Sequence, residues 1–296
     1  PLLGSMQFPT KNDQMRFKPS GTSGPFTATI STIRDDLAWV ARIPRHVWLS
    51  LALVPVLLLG WAGLARLVPE GYISGPYLTF RAFFQMLMDD RRKFPIAIWQ
   101  TLSVYLGGVG CAALIGVPLG ILLGLFRSLG RTISPFMHAL AATPVVALIP
   151  LIVLAVGLGA EAKVLIVALS AVMPVLIATE AGVRGADPAL IEMARSYGMS
   201  PLTRLRHVIL PAALPSVMAG LRLAAVMGLV ATAVSELYTA MTGLGALLQS
   251  LGNSYRMDRY FAVVLTFAAI GALVTGLLSL LERRLTPPPD RAWRAH

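Results

Sequence analysis

Charge, cysteine and phosphate-binding glycine motifs are what this chain has least of. Only 13% of its 296 residues are charged, about half the share of an ordinary soluble domain, while 56% are hydrophobic and the mean hydropathy is +0.71. That balance excludes a soluble globular protein and bounds the class as an integral membrane protein. The single cysteine, Cys111, lies in an apolar run of small residues, so an internal disulfide is excluded and a packing role is expected. Four histidines (His46, His138, His207 and His296) stand apart without ligand spacing, and no metal site is expected. No G-x-x-x-x-G-K-[ST] phosphate loop occurs, and no glycine is followed by lysine, so the chain has no P-loop with which to hydrolyse ATP. No Ser/His/Asp or paired-carboxylate set can be assembled from its loops, and it is read as a non-enzyme.

What is present is a succession of long apolar runs. A helix needs about 20 apolar residues to cross roughly 30 Å of hydrocarbon. The runs near Val47–Ala65, Ile96–Phe126, Ile133–Leu158, Val164–Ala181, Ala212–Glu236 and Tyr260–Leu281 give an all-α membrane protein with six spanning helices. Residues 1–30 form a polar tail expected to be disordered, with 1–5 ahead of Met6 read as a cloning remnant. Residues 31–46 put Ile33, Leu37, Val40 and Ala41 on one face and Arg34, Asp35, Asp36 and Arg42 on the other, the pattern of an interfacial helix or of a solvated cap. The membrane domain is 47–285 and a short tail, 286–296, follows it. Between the first two spans, Phe80, Phe83, Phe84 and Leu87 recur at helical spacing and predict a short helix on the outer surface.

The net charge of +11 does not indicate nucleic acid, because the basic residues sit in short loops and tails between apolar runs. Six crossings divide the Lys and Arg residues outside the spans sixteen to eight, and the richer side holds both termini and the connection 187–211. The positive-inside rule places that side in the cytoplasm.

The second span carries Gly108, Ala112, Gly116, Gly120 and Gly124, a small residue at every fourth position. Such a stripe lets another helix approach backbone to backbone and is read as a packing seam. Thr143-Pro144 and Pro150 in the third span and Pro174 in the fourth imply local bends. No acid falls at a span midpoint, which speaks against a proton- or sodium-coupled carrier, and Arg222 in the fifth span is expected to snorkel to the cytoplasmic interface. For a small anion, Thr143, Pro144, Ser170, Thr179, Ser235 and Glu236 are the candidate pathway residues, although the hydroxyls can equally bond their own helix backbones.

The connection 187–211 reads as two short amphipathic helices meeting at a turn. Asp187-Pro188 and Ser200-Pro201 are two helix starts, and Gly198 permits the left-handed residue that ends the first helix. Leu190, Met193, Ala194 and Tyr197 share one face, expected to turn inward, and Glu192, Arg195 and Ser196 are left for a partner. The second helix is expected to turn Leu202, Leu205, Val208 and Ile209 inward. Further on, Gly243-Leu244-Gly245 begins a short helix on the outer side.

Glu192, Met193, Ala194 and Gly198, followed after a fixed gap by Ile209-Leu210-Pro211, resemble the EAA signature of bacterial ABC-importer permeases, with Met193 in place of the first alanine. The Gly243-Leu244-Gly245 loop and the outline of Ala142–Leu151 are similar to the nitrate, sulfonate, taurine and bicarbonate branch, although Ala142–Leu151 lacks that branch's tryptophan. The resemblance implies a type I importer permease of the bacterial inner membrane, passing a small solute such as a sulfonate, taurine or nitrate. It implies a second permease copy, two cytoplasmic ATPase subunits that bind ATP and magnesium, and a periplasmic or lipid-anchored binding protein, with no cofactor in this chain. An ion-gradient-driven carrier or channel is the alternative from another class, and a membrane scaffold a third.

Overall fold

The structure, a computed structural model, describes residues 45–69, 72–89, 93–239 and 242–285. The tail 1–30, nearly all of the expected interfacial helix and the tail 286–296 lie outside the described residues. The chain divides into two units, Pro1–Gly60 and Trp61–His296. The described part of the first is the opening of helix α1 (Arg45–Leu67), whose side chains at Leu53, Val54, Val56 and Leu57 are all more than half exposed.

The second unit is built on α2 (Pro76–Asp89), α3 (Lys93–Leu125), α4 (Arg127–Ala142), α5 (Val145–Val156), α6 (Ala160–Arg184), α7 (Pro188–Ser196), α8 (Pro201–Arg204), α9 (Leu210–Tyr238), α10 (Leu244–Asn253) and α11 (Met257–Leu285). All regular structure among the described residues is helical, as anticipated. By length and apolarity four helices can cross a membrane: α3, α6, the continuous run Pro201–Tyr238 and α11. Counting α4 and α5 as one broken span makes five.

The third span is where expectation and structure differ. Ile133–Leu158 was expected to cross as one helix, but α4 and α5 meet at 87°. Thr143-Pro144 accounts for the break: Pro144 carries no N–H, and its ring pushes Thr143 into the extended region at φ −74° and ψ 126°. The Thr143 N–H still bonds back to the Leu140 carbonyl at 3.1 Å, so α4 ends with that donor satisfied.

The core is a three-helix arrangement of α3, α6 and α9. The small residues of α3 meet α6 in constant register. Gly108 lies against Val167, Gly116 against Val175, Gly120 against Thr179 and Gly124 against Val183, with Ala112 and Ala171 buried together. Because the offset never changes, the two helices run parallel. A Cβ on Gly120 would come within 2.6 Å of the Thr179 Cβ and 2.8 Å of the Leu176 carbonyl oxygen. Antiparallel α9 closes on α6 in the same way, through Gly182 against Ser216 and Gly220 against Ala178. Tyr105, fully buried on α3, donates its hydroxyl to the Ala225 carbonyl of α9 at 3.0 Å.

On α2 the packed stripe is Thr79, Ala82, Phe83 and Met86, with Phe83 edge-on to Phe94 at 5.9 Å. Phe80, Phe84 and Leu87 are exposed. The outward faces of α3, α9 and α11 are likewise apolar, since association inside lipid comes from close packing and not from hiding apolar surface.

Gly120→Val is expected to destabilise the fold by about 1–3 kcal/mol through overpacking, whereas Gly110→Val on the same helix, where nothing lies within 4 Å, should not. Denaturant unfolding in mixed micelles reads both; equal stabilities would show that the seam is not tight.

Candidate functional site

The polar connection between α6 and α9 folds as a helix, a turn and a helix. Asp187 caps α7, its Oδ1 accepting from the Ala189 N–H at 2.8 Å, and Pro188 supplies the preset first helical residue. At the other end Gly198 adopts φ +72°, a left-handed conformation that glycine takes without a Cβ clash. Its N–H bonds the Arg195 carbonyl at 2.9 Å while the Met199 N–H bonds that of Ala194 at 3.1 Å, the paired closure of a Schellman motif. Ser200 then caps α8, accepting from the Thr203 N–H at 3.2 Å. A π-helical turn, Leu205–Ile209, joins α8 to α9. It lies just before Pro211, whose ring would press on the His207 carbonyl in a regular α-helix, and the wider turn relieves that contact.

The facing of these helices reverses part of the expectation. Leu190, Met193 and Tyr197 are 45, 53 and 79% exposed and do not turn inward; Leu202 is exposed as well. Only Ala194 is buried, and partly buried Ile191 and Leu205 join Val183, Ala186, Ile209 and Ala213 in the underlying cluster. Glu192 and Arg195 are exposed, and with Arg127 and Arg184 they line an open cavity of about 340 Å³ beside α7. The helical wheel put Ala194 on one face with Leu190, Met193 and Tyr197, and the structure parts them: Ala194 is buried and the other three are exposed. Ala194 is the one buried side chain of α7, and the bulky apolar side chains are left outside. Ser196 and Pro211 are exposed and Leu210 is half-buried.

At the other end of α9 there is a buried polar clamp. Glu236, 1% exposed, accepts from the Thr101 hydroxyl at 2.8 Å and from the Gly245 N–H at 2.8 Å. Thr101 in turn accepts from the Leu244 N–H at 2.8 Å, and Gln100 from the Gly243 N–H at 3.0 Å. Lys163, 2% exposed at the start of α6, donates to the Thr242 hydroxyl at 2.8 Å, and its charge attracts that of Glu236. Gly243, at φ +89°, has no room for a Cβ against the Glu236 carboxylate, and a Cβ on Gly245 would lie 2.6 Å from the Glu236 Cβ. The Gly243-Leu244-Gly245 turn is therefore tied by polar contacts to α3 and α9, and Thr242 just before it to Lys163 of α6.

The candidate pathway residues are not brought together. Thr143 bonds the Ala139 carbonyl at 3.0 Å, Ser170 that of Ile166 at 2.9 Å, and Ser235 that of Thr232 at 2.9 Å, each within its own helix. Thr179 is sealed in the α3–α6 seam and Ser235 and Glu236 are sealed in the core, so in this conformation none of the three reaches a pathway. Pro144 precedes α5 at the bend. Arg222, expected to snorkel, pairs with Glu282 near the end of α11 at 2.7 Å. No group of three metal-ligating side chains occurs among the described residues.

Residues 116–287 match the binding-protein-dependent transport system inner membrane component family. The chain belongs to that family. It is similar to the taurine transport system permease protein TauC of Escherichia coli (strain K12), 31% identical over 257 residues that cover 85% of this chain and 93% of TauC. It is also similar to the aliphatic sulfonates permease protein SsuC of the same strain, 36% identical over 194 residues, 63% of this chain and 72% of that protein. The riboflavin permease protein RibX of Chloroflexus aurantiacus is 33% identical over 83% of this chain and 93% of its own length. Among solved structures, the inward-facing MetNI methionine ABC transporter superposes with a TM-score of 0.61 at 22% identity over 68% of this chain and 99% of that one, a likeness of fold alone.

The chain is thus a multi-pass membrane protein and the permease subunit of an ABC importer, close to the sulfonate and taurine permeases. Permeases of this kind work with ATPase and substrate-binding subunits and are not themselves ATPases, which sets the ion-gradient carrier aside.

Thr101, Gln100 and Lys163 were not singled out from the sequence. A signal was available: Lys163 opens one span and Glu236 closes another on the same side, so two opposite charges stand at one level of the bundle.

Glu236→Ala removes the acceptor of the Gly245 N–H and of the Thr101 hydroxyl, each buried loss costing roughly 1–3 kcal/mol. Hydrogen exchange of residues 242–253 should accelerate by at least tenfold while the α3–α6 seam stays protected. Unchanged exchange would show that the clamp does not hold α10.

Proposed function

We propose that this chain crosses the bacterial inner membrane six times, with α1 and the broken α4–α5 pair among the crossings and both termini in the cytoplasm. It forms one half of a permease dimer that passes a small organic or inorganic anion, with a sulfonate such as taurine the first to test. Support for the orientation is the two-to-one excess of Lys and Arg on one side. Support for the substrate class is the likeness to TauC and SsuC; the similar likeness to RibX argues that the class is set more by the delivering binding protein than by overall identity. Thr143 and Ser170 remain the pathway candidates, since Thr179, Ser235 and Glu236 are committed inside the chain.

The observation that carries the coupling role is the exposed apolar face of α7 and α8, where Leu190, Met193, Tyr197 and Leu202 stand in water on a helix pair otherwise well capped. Exposed apolar groups clustered on an amphipathic helix fit a groove on a partner. In the proposed mechanism two cytoplasmic ATPase subunits, which bind ATP and magnesium, receive these faces. Closure of the ATPases moves α7–α8, and the continuous run Pro201–Tyr238 carries the shift across the membrane to the Glu236 clamp. A periplasmic or lipid-anchored binding protein delivers the solute at that end.

Met193→Glu with Tyr197→Asp should leave insertion and thermal stability unchanged, because both side chains are exposed, and should lower ATP-dependent taurine uptake at least tenfold in liposomes holding the full transporter with its binding protein. Full uptake at matched membrane levels would defeat the docking assignment, whereas taurine uptake absent from the unmodified transporter would defeat the substrate alone.

A further inference from the structure

Helix α4 is held to the bundle by very little. Of its sixteen residues only Gly130 and Met137 are buried. Met137 clusters with Leu123 of α3 and Leu176 of α6, an ordinary apolar contact. Gly130 makes a more specific one. A Cβ there would collide with Arg184 Nη2, and would lie 2.6 Å from the Leu123 carbonyl oxygen and 2.9 Å from Glu180 Oε1. The first turn of α4 therefore sits directly on the ion pair at the end of α6, and only a hydrogen fits between them.

Glu180 and Arg184 stand one helical turn apart, with Oε1 2.8 Å from Nη2. Both of these atoms are sealed from solvent. A sealed pair keeps its geometry, because moving either partner leaves the other charge buried and uncompensated. Close by, Gly124 lies against Val183, so the ends of α3 and α6 are fixed to each other as well. Soon after Arg184 the chain enters α7 at Pro188. The cavity beside α7 is lined by Pro188 and Ile191 on the α7 side and by Leu125 and Arg127 on the side of the α3–α4 turn, with Arg184 between. Open space parts α7 from that turn there, and the end of α6 is what joins them.

We infer that Gly130 is a positioning residue of the coupling step: by seating α4 on the Glu180–Arg184 pair it makes α4 follow the end of α6, so that a shift of α7 reaches the bend at Thr143-Pro144. This rests on the reading of α7 and α8 as the surface that meets the ATPase. A helix of sixteen residues is about 24 Å long, so a small tilt at the seated turn becomes a larger displacement at the bend. Thr143, a pathway candidate, is exposed there. Coupling thus has a second line into the bundle besides the run Pro201–Tyr238.

The test uses the full transporter with its ATPase subunits in nanodiscs and does not depend on the identity of the solute. With Cys111→Ser removing the native thiol, Thr143→Cys is labelled by a membrane-impermeant maleimide in the resting and the vanadate-trapped states. The labelling rate should differ by about threefold or more between the two, as for a thiol covered or uncovered by a conformational change. Gly130→Ala should abolish that difference while ATP hydrolysis persists, and Arg184→Gln should do the same. Arg184→Lys, which keeps the charge beside Glu180, should retain it. Labelling indifferent to nucleotide state, or a difference that both Gly130→Ala and Arg184→Gln leave intact, overturns the proposal. So does loss of ATP hydrolysis in both variants, which would mark a role in folding alone. If Gly130→Ala does not reach the membrane, the two Arg184 variants decide, and equal behaviour of glutamine and lysine overturns it. Failure of the docking reading looks different: Met193→Glu with Tyr197→Asp would then leave the state dependence in place while Gly130→Ala still removes it.

Discussion

The parallel contact of α3 with α6 is the constraint on which the remaining packing depends. In lipid there is no gain from hiding apolar side chains from one another, so two helices stay together only where their backbones come close. The seam supplies this over four helical turns, from Gly108 against Val167 to Gly124 against Val183. Parallel helices that are neighbours in space require the chain to return between them, and the bent pair α4–α5 carries it back. The glycines of α6 and α9 then repeat the device in antiparallel form, which leaves α9 wedged against both helices. Tyr105 adds a single polar tie, with its hydroxyl on the Ala225 carbonyl.

That wedged helix has polar business at both ends. With α8 and the π turn it forms a continuous run of 38 residues, about 57 Å at the α-helical rise. One end is the capped, solvent-facing α7–α8 unit; the other is Glu236, holding the Gly245 amide and the Thr101 hydroxyl. Between them the helix is glycine- and alanine-rich where it touches its neighbours. A helix gripped along its length by close backbone contacts transmits displacement as a body, because a packed seam yields by sliding or tilting before it compresses. The arrangement thus places a rigid element between an exposed apolar surface and a loop pinned by hydrogen bonds.

Much of this could be read from residue order. The every-fourth spacing of small residues on α3 specified the seam, although its partner, α6, was not specified. The caps at Asp187 and Ser200 and the left-handed Gly198 were legible because each is a local event, decided by a side-chain oxygen or by a missing Cβ within a few residues. Three features were not legible. The direction of α7 is a tertiary matter, which buried Ala194 and left Leu190, Met193 and Tyr197 outside. The break between α4 and α5 was signalled by Thr143-Pro144, but a proline in an apolar run sets only the possibility of a bend, and the 87° angle comes from what the two halves pack on. The clamp was missed because Thr101, Lys163 and Glu236 lie on three different helices, and each looks ordinary within its own.

The distribution of polar groups within the bundle also bears on selectivity. Thr143, Ser170 and Ser235 satisfy carbonyls one turn back on their own helices, and Thr179 is enclosed against Gly120. A hydroxyl so engaged presents little directional hydrogen bonding to a passing solute, and the buried charges Lys163 and Glu236 are committed to the loop at the end of α9. A pathway formed by such helices would discriminate by width and by apolar lining more than by specific donors and acceptors. Relatives of similar identity that are named for taurine, aliphatic sulfonates and riboflavin are consistent with that division of labour. The membrane helices are built for tight mutual packing, and their hydroxyls are spent on their own backbones.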